Sequence, residues 1–402
     1  MDYRNLIDKY GSPLYVYDYD TIYNRCCDMK EFSDNLSKKL GVNVSMHYST
    51  KANGNIAILK IIKNFLKVDA MSITELELVK RAGFDNKDIL FVSNNISSDE
   101  MKYVSSNDVL MCFDSISQVE SFGKICSGKD VMVRINPGTD GVGHSSKVMT
   151  SGKATKFGIC ESNISYLKEI CSLYNLNIIG VHMHLGSLFL DDKINNYIEG
   201  VKTYLEIIKR NFSSLKIIDF GGGFGIDYNG KENLSLNNLK DELVNVLSPF
   251  LKEYSGVTEI KFEPGRYIVC EGGFILGSVT SFKKENNINW IGTDIGMNVL
   301  VRPSMYDAYH RIEIISSNKD IISANICGNI CESCDVLGRD RSVLRPNIGD
   351  IVKVYDAGAY GFSMCSNYTG RLRPCEVLIK DNKDILIRKR DTLEDILNKY
   401  VY

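Results

Sequence analysis

The stretch VSMHYSTKANGN, residues 44–55, decides how the rest of the chain is read. It begins with the apolar and β-branched residues of a strand, and it ends at Lys51, just before the turn signal Ala-Asn-Gly-Asn. A lone lysine at the end of a strand is most often a solvated terminus. The meaning of Lys51 therefore depends on whether the pattern around it recurs.

Seven further runs of this kind follow, and helical stretches separate them. Capping boxes predicted at Ser72, Ser97 and Ser117 open three of these helices, and Gly83 supplies a stop signal for the first. Strands that alternate with helices form parallel sheets with right-handed crossovers. We therefore predict a (β/α)₈ barrel of the TIM type, with an open doubly wound sheet as the alternative on pattern alone. The eight runs are residues 44–50, 67–71, 89–93, 108–114, 130–136, 178–185, 215–220 and 259–264.

Beyond about residue 270 the strand-like runs continue without helices between them. This pattern predicts an antiparallel β domain, closed by an amphipathic helix in TLEDILNKY, residues 392–400. The strand SPLYVYD, residues 12–18, could join either domain on pattern alone. We expect residues 18–268 to form the barrel, and residues 1–17 with 269–402 to form the β domain.

Composition excludes several classes of protein. The chain has 402 residues and a formal net charge of −2, without a Lys/Arg-rich run, so we expect neither a nucleic-acid nor a membrane partner. No apolar run approaches the ~18–20 residues that cross a bilayer, and the N-terminus lacks the apolar core of a secretory signal. The twelve cysteines lie in apolar contexts, which is typical of free thiols in a cytoplasmic protein. The pair Cys331 and Cys334 has no partner pair at zinc spacing, so we expect no metal.

Polar residues and glycines follow five of the eight runs. In barrel enzymes the chemistry lies at the carboxyl ends of the strands, while the opposite face serves stability. A solvated loop would explain any one of these segments, but it explains the whole set poorly. The segments are Lys51, Asn136–Gly138, His184–Ser187, Gly221–Gly225 and Glu263–Arg266.

The run GGGFG, Gly221–Gly225, is not a dinucleotide fingerprint, because the sixth position is Ile226 when counted from Gly221 and Tyr228 when counted from Gly223. Loops after barrel strands seven and eight commonly bind phosphate, although a tight turn explains the run equally well. A lysine amine and a phosphate site in one barrel mouth indicate pyridoxal phosphate, with Glu263 against the pyridine nitrogen. His184 could stack on the ring or be an ordinary satisfied histidine.

Seven short motifs, taken in order, carry a family resemblance: HYSTKAN (47–53), GVHMHLGS (180–187), DFGGGFG (219–225), EPGR (263–266), RPSMYDAYH (302–310), GNICESCD (328–335) and DAGAYGFSMCSNY (356–368). Together they resemble the fold-type III pyridoxal-phosphate decarboxylases, whose barrel is similar to that of alanine racemase. Within that family the motifs are most similar to those of the diaminopimelate decarboxylases. The resemblance covers nearly the whole chain.

The resemblance implies a role for each matching residue. Lys51 would carry the cofactor covalently, His184 would stack on its ring, and Cys331 would protonate the α-carbon of the product. The residues implied around the phosphate are Ser187, Gly221, Gly222, Gly223, Gly265, Arg266 and Tyr360. Those implied at the distal amino-carboxylate end of the substrate are Arg266, Arg302, Tyr306, Glu332 and Tyr360. The family works as a homodimer in which Cys331 and Glu332 of one subunit reach into the other subunit's site.

The function implied is decarboxylation of meso-2,6-diaminopimelate to L-lysine and carbon dioxide, the last step of lysine biosynthesis. Arg302 and Tyr306 favour a substrate with a distal carboxylate, and Glu332 stands where the simple diamine-forming relatives carry aspartate. The alternatives are a related decarboxylase acting on another basic or carrier-linked amino acid, or a non-catalytic homologue that binds the cofactor. The non-catalytic homologue would be expected to lose Lys51 or Cys331, and both are present.

The sequence departs from the family pattern at several positions. The usual CESGD reads CESCD, so Cys334 stands where a glycine is expected, which puts the local backbone conformation in question. The usual YAVKAN reads YSTKAN, which adds two hydroxyls beside Lys51. The stretch of residues 138–159 is long, small and polar, and we predict either a mobile lid over the site or an inert surface loop.

Overall fold

The computed structural model describes residues 2–139, 142–143, 151–152, 155–230 and 233–401. The chain divides into two compact units. The barrel unit comprises Asn24–Asp227 and Lys231–Tyr267, and the β unit comprises Met1–Tyr23, Tyr228–Gly230 and Ile268–Tyr402. The domain boundaries predicted above remain a prediction, because compactness does not show which segments fold independently.

Eight parallel strands close into a barrel in the barrel unit. Each strand pairs with the next one along the chain, and the last pairs with the first through Glu259↔Asn43 and Phe262↔Met46. The structure therefore confirms the predicted TIM-type barrel and not the alternative, an open doubly wound sheet. The strands are Asn43–Ser49, Lys67–Ala70, Ile89–Ser93, Leu110–Phe113, Asp130–Asn136, Asn177–His182, Ile217–Asp219 and Glu259–Phe262.

Helices follow the strands, and their N-terminal caps test the predicted capping boxes. Ser97 and Glu100 form a complete box. Ser72 caps its helix, but the carboxylate of Glu75 accepts from the backbone N–H of Met71. The box predicted at Ser117 is wrong, because the helix begins two residues earlier with Ser115 as its cap.

The long helices that enter or lie in the barrel unit are Tyr19–Leu40, Ile56–Ile62, Ile73–Ala82, Ser98–Ser106, Ile116–Ile125, Ile164–Leu173, Ile194–Asn211 and Leu236–Glu253. Gly83 ends the third of them with a φ of 96°, as its position predicts. Among the described residues, no helix combines the length and the apolar character that crossing a membrane requires.

The inside of the barrel is apolar only in part. Inward positions alternate along each strand, so one residue in two faces the barrel axis. The apolar part is a cluster of Leu90, Val92, Cys112, Met132 and Ile217. Other inward positions carry charged or polar groups, and these build the site described below.

The β unit is a mixed sheet of nine strands, mostly antiparallel. Strand Leu14–Asp18 belongs to this sheet and runs parallel to Cys375–Lys380. Strand Val336–Leu344 has no strand-like run in the sequence, because the segment GRDR interrupts its apolar pattern. The other strands are Gly273–Glu285, Ile288–Thr293, Ile312–Ile315, Ile321–Cys327, Ile351–Val354 and Lys383–Arg388, and the helices are Tyr3–Tyr10, Arg302–Tyr306 and Leu393–Leu397. Half of residues 138–159, the predicted lid or surface loop, lie outside the described residues.

Candidate active site

Lys51 lies in a short 3₁₀ turn, Thr50–Ala52, directly after the first barrel strand, and its side chain is half-buried. Asp69, at the end of the second strand, holds this turn. Its carboxylate accepts from Ser49 Oγ at 2.7 Å and from the Thr50 backbone N–H at 3.2 Å. Thr50 Oγ1 donates to the Asp69 carbonyl oxygen at 2.6 Å. The two hydroxyls that depart from the family pattern therefore anchor the turn that presents Lys51.

Glu263, at the end of the eighth strand, lies in a buried cluster with His182 and Asp219. His182 Nε2 is 3.1 Å from Glu263 Oε2, and each of the three residues offers a polar atom within 4.8 Å of the others. In the described part of the chain, Glu263 Oε1 and Asp219 Oδ2 are buried without a hydrogen-bond partner. Because an unpaired buried polar atom costs stability, this arrangement is suited to receive a partner from outside the chain.

The charges around this cluster fix its protonation. Burial alone would raise the pKa of Glu263, but His182, Lys51 and Arg134 outweigh it and hold that pKa below its usual value. Burial and the charge of Glu263 raise the pKa of Asp219 well above its usual range. Glu263 is therefore the ionised carboxylate of the cluster at neutral pH.

His184 lies beside the cluster as a neutral imidazole. Burial, together with the positive charges of Lys51 and Arg134, lowers its pKa well below the usual value. Its Nδ1 accepts from the backbone N–H of Gly186 at 3.1 Å, which requires an unprotonated nitrogen. A neutral ring here can lie against a positively charged heteroaromatic ring without repelling it.

The glycine run is required by the packing of the barrel end. Gly221 has a φ of +66°, and its backbone N–H donates to Asp219 Oδ1 at 2.9 Å. A Cβ at Gly222 would lie 2.2 Å from the Glu263 carbonyl oxygen. A tight turn against neighbouring strands thus explains these glycines, and their role towards phosphate stays a prediction.

Two more predicted residues of the barrel unit are in contact. Arg266 is buried, and its Nη2 donates to Ser187 Oγ at 3.0 Å. Gly265 is buried between Glu263 and Arg266 in the chain. The structure therefore brings the predicted residues of the barrel unit to the carboxyl end of the strands. These are Lys51, His184, Ser187, Gly221, Gly222, Gly223, Glu263, Gly265 and Arg266.

The other predicted residues lie in the β unit. Arg302 is buried at the start of its helix, and Tyr306 at the end of that helix is half-buried. Cys331 and Glu332 are exposed, and Glu332 accepts a hydrogen bond from Tyr368 Oη. Tyr360 has a φ of 55°, a conformation that non-glycine residues adopt mainly where the surrounding structure enforces it.

Cys334 does not strain the backbone. It is not among the described non-glycine residues with a positive φ. The turn around it closes with the Asp335 backbone N–H donating to the Glu332 carbonyl oxygen at 3.0 Å. A side chain is therefore accommodated where the family usually has glycine.

Sequence reasoning missed four polar residues of this site: Asp69, Arg134, His182 and Asp219. All four are buried at inward positions of barrel strands. Three of them, Arg134, His182 and Asp219, lie two positions before a segment that the sequence predicts to be functional. The alternation of inward and outward residues could have identified those three.

The barrel residues fit pyridoxal phosphate. The ionised Glu263 has a free, buried Oε1 that suits a protonated ring nitrogen, and Lys51 offers an amine for the aldehyde. The neutral His184 suits the face of the ring.

Known proteins agree with this assignment. A family model described as "Pyridoxal-dependent decarboxylase, pyridoxal binding domain" matches residues 27–270. The chain is 34% identical over 409 residues to diaminopimelate decarboxylase of Methanothermobacter thermautotrophicus, covering 98% of this chain and 93% of that protein.

Solved structures give a similar result. Diaminopimelate decarboxylase from M. jannaschii in complex with L-lysine has a TM-score of 0.89 and 31% identity, covering 100% of this chain and 95% of that one. The Helicobacter pylori enzyme complexed with L-lysine has a TM-score of 0.89 and 29% identity, covering 99% and 98%. With its barrel geometry and these matches, the chain belongs to the family of pyridoxal-dependent decarboxylases.

Proposed function

We propose that this protein decarboxylates meso-2,6-diaminopimelate to L-lysine and carbon dioxide with pyridoxal phosphate as its cofactor. The observation that carries the proposal is the match to a diaminopimelate decarboxylase over 98% of the chain. The geometry agrees with it, because Lys51 and the ionised Glu263 occupy one end of the barrel.

The barrel unit would hold the cofactor. When bound, pyridoxal phosphate supplies the electron sink that accepts the electron pair left behind by carbon dioxide. Lys51 would attach it covalently, and Glu263 would keep the proton on its ring nitrogen. His184 would cover one face of the ring. The residues proposed around the phosphate are Ser187, Gly221, Gly222, Gly223, Gly265, Arg266 and Tyr360.

The distal end of the substrate carries an ammonium and a carboxylate, and each needs a counter-charge. Arginine forks suit carboxylates better than lysine does, and Glu332 would bind the ammonium. Burying either charge unpaired would cost several kcal/mol, which would reject a monoamine or a monoacid. The proposed set is Arg266, Arg302, Tyr306, Glu332 and Tyr360, and Cys331 would return a proton to the α-carbon.

We also propose a cytoplasmic homodimer with shared active sites, in which Cys331 and Glu332 of one subunit complete the site of the other. The exposure of both side chains in the single chain supports this arrangement. Residues 18–268, and residues 1–17 with 269–402, remain the proposed domains.

A carbon dioxide release assay tests the reaction, comparing meso-diaminopimelate with L-lysine, L-ornithine and L-arginine. We expect release from meso-diaminopimelate alone. Lys51→Ala should lose both this activity and the absorbance band of the bound cofactor. Release from L-ornithine or L-arginine instead would favour the related decarboxylase. A coloured protein that releases no carbon dioxide from any diamino diacid would favour the non-catalytic homologue.

A further inference from the structure

Arg302 carries a buried guanidinium whose hydrogen-bond partners among the described residues are neutral. Its side chain is 2% exposed. Within the described part of the chain, no carboxylate lies within ion-pair distance of it. A buried cation without a counter-ion is costly, so a site of this kind is suited to an anionic ligand.

His310 orients this guanidinium. Arg302 Nε donates to His310 Nε2 at 3.3 Å, and His310 Nδ1 lies 2.9 Å from the Tyr355 carbonyl oxygen. Arginine can only donate and a carbonyl can only accept, so these two bonds fix the tautomer. His310 carries its proton on Nδ1, donates it to Tyr355, and offers the bare Nε2 to Arg302. His310 itself is fully buried, which holds the ring in place.

Tyr228 braces the same guanidinium from another side. Arg302 Nη2 donates to Tyr228 Oη at 3.4 Å, and the Arg302 Cζ is 5.7 Å from the centre of the tyrosine ring. The rings of Tyr228 and His310 meet edge to face with their centres 5.5 Å apart. Among the described residues the guanidinium donates through Nε and Nη2 and not through Nη1, so Nη1 is suited to a ligand.

We propose that His310 is a positioning residue that aims Arg302 at the carboxylate which the substrate keeps, and thereby sets the preference for carboxylated over plain diamines. This inference rests on the proposed function. Decarboxylation of meso-diaminopimelate at one end leaves the other carboxylate in place, and the product L-lysine carries it. The corresponding plain diamine, 1,5-diaminopentane, lacks that carboxylate and is otherwise the same chain.

The test measures binding of L-lysine and 1,5-diaminopentane to the holoenzyme, for the wild type and two variants. His310→Asn can still donate towards Tyr355 but is too short to accept from Arg302 Nε. His310→Gln can extend an acceptor to that nitrogen. We expect the wild type to prefer L-lysine, His310→Asn to lose about tenfold or more of this preference, and His310→Gln to keep it within about threefold.

Steady-state kinetics give a second readout that a general packing defect would not produce. His310→Asn should raise KM for meso-diaminopimelate while kcat changes little, because distal binding is lost and the reacting end is untouched. Equal melting temperatures and equal cofactor absorbance of the two variants show that both are folded and loaded. If His310→Gln does not fold, the comparison of His310→Asn with the wild type still decides.

The possible outcomes distinguish a failure of this inference from a failure of the proposed function. A wild-type preference for L-lysine that His310→Asn retains would overturn the inference and leave the proposed function standing. An equal loss in both variants would also overturn it, since the acceptor atom would then not matter. A wild type that binds both ligands equally and releases no carbon dioxide from meso-diaminopimelate would overturn the proposed function itself.

Discussion

The barrel interior holds two polar clusters, one at each end of its strands, and they differ in how their atoms are paired. The amino-end cluster consists of Ser45, His47, Lys67, Glu259 and Lys261. The carboxyl-end cluster consists of Asp69, Arg134, His182, Asp219 and Glu263. Both contain acidic and basic side chains that are buried or half-buried, so polarity alone does not distinguish them.

The side chains of the amino-end cluster form hydrogen bonds and ion pairs with one another. Glu259 accepts from Ser45 Oγ at 2.7 Å and from Lys67 Nζ at 3.1 Å, and Lys261 Nζ is 3.4 Å from its other oxygen. Lys261 also donates to His47 Nε2 at 3.0 Å. Burial and the two lysines lower the pKa of His47 well below its usual value, so it accepts as a neutral ring.

The carboxyl-end cluster is left open. Four of its buried polar atoms have no partner among the described residues: Arg134 Nη2, His182 Nδ1, Asp219 Oδ2 and Glu263 Oε1. None of the amino-end side chains has such an atom in the same part of the structure. Paired polar groups stabilise a fold, whereas unpaired ones are tolerated where a ligand completes them. The difference indicates that one end of the barrel serves stability and the other serves the cofactor.

Glu263→Gln should have the largest effect, because it removes the charge that holds the proton on the cofactor's ring nitrogen. We expect kcat for carbon dioxide release to fall about 10²–10³-fold, the size typical of losing one preorganised electrostatic group. Cofactor loading, read from the absorbance band, should persist since Lys51 is unchanged. A variant with full kcat would remove the functional distinction between the two clusters.

Glu259→Gln is the matched change at the other end of the same strand. Two lysines and Ser45 converge on Glu259, so neutralising it should destabilise the protein by about 1–3 kcal/mol. The free energy of unfolding from urea titration measures this loss. The kcat should remain within about twofold of the wild type. A fall in kcat as large as that of Glu263→Gln would show that both ends act in the reaction.

Asp219→Asn should change how stability depends on pH. A carboxyl whose pKa is raised in the folded protein costs stability once it ionises, so the wild type loses stability as the pH rises above about 4 towards that raised pKa. Asparagine cannot ionise, yet its Oδ1 can still accept from the Gly221 N–H. We expect melting temperatures that match at about pH 4 and a variant that melts roughly 2–4 °C higher at pH 8.

Thermal unfolding at several pH values gives this comparison directly. Asp219→Asn melting below the wild type at pH 8 would mean that the ionised form of Asp219 stabilises the fold through its attraction to the charge of Lys261. The carboxyl-end cluster would then resemble the amino-end cluster more closely than its hydrogen bonds indicate.

The fold was predictable where local pattern and tertiary structure agree. All eight barrel strands overlap the predicted runs, because the positions of each strand that face the surrounding helices are apolar or β-branched even where inward positions are polar. The helix start at Ser115 was misplaced because Ser115 with Gln118, and Ser117 with Glu120, both match a capping box. Strand Val336–Leu344 could not be read from its own residues, since pairing with Ile321–Cys327 holds it.

The site was predictable only in part, for a similar reason. Residues at the end of a strand, such as Lys51 and Glu263, can be identified from the sequence alone. Which inward residues meet inside the barrel depends on register, and the contact of His182 with Glu263 joins two strands that are not neighbours in the sheet. Register is specified by closure of all eight strands, so no single segment carries it.

Ser45→Ala and Ser49→Ala should have the smallest effects and give the sharpest comparison. The two serines lie four residues apart on the first strand, and each donates to a carboxylate at 2.7 Å, Ser45 to Glu259 and Ser49 to Asp69. Each substitution should cost about 0.5–1.5 kcal/mol of unfolding free energy. Only Ser49→Ala should also weaken cofactor affinity, because Asp69 anchors the turn of Lys51. Titration of each apoprotein with pyridoxal phosphate measures this, and equal affinities would mean that Asp69 positions Lys51 without its serine.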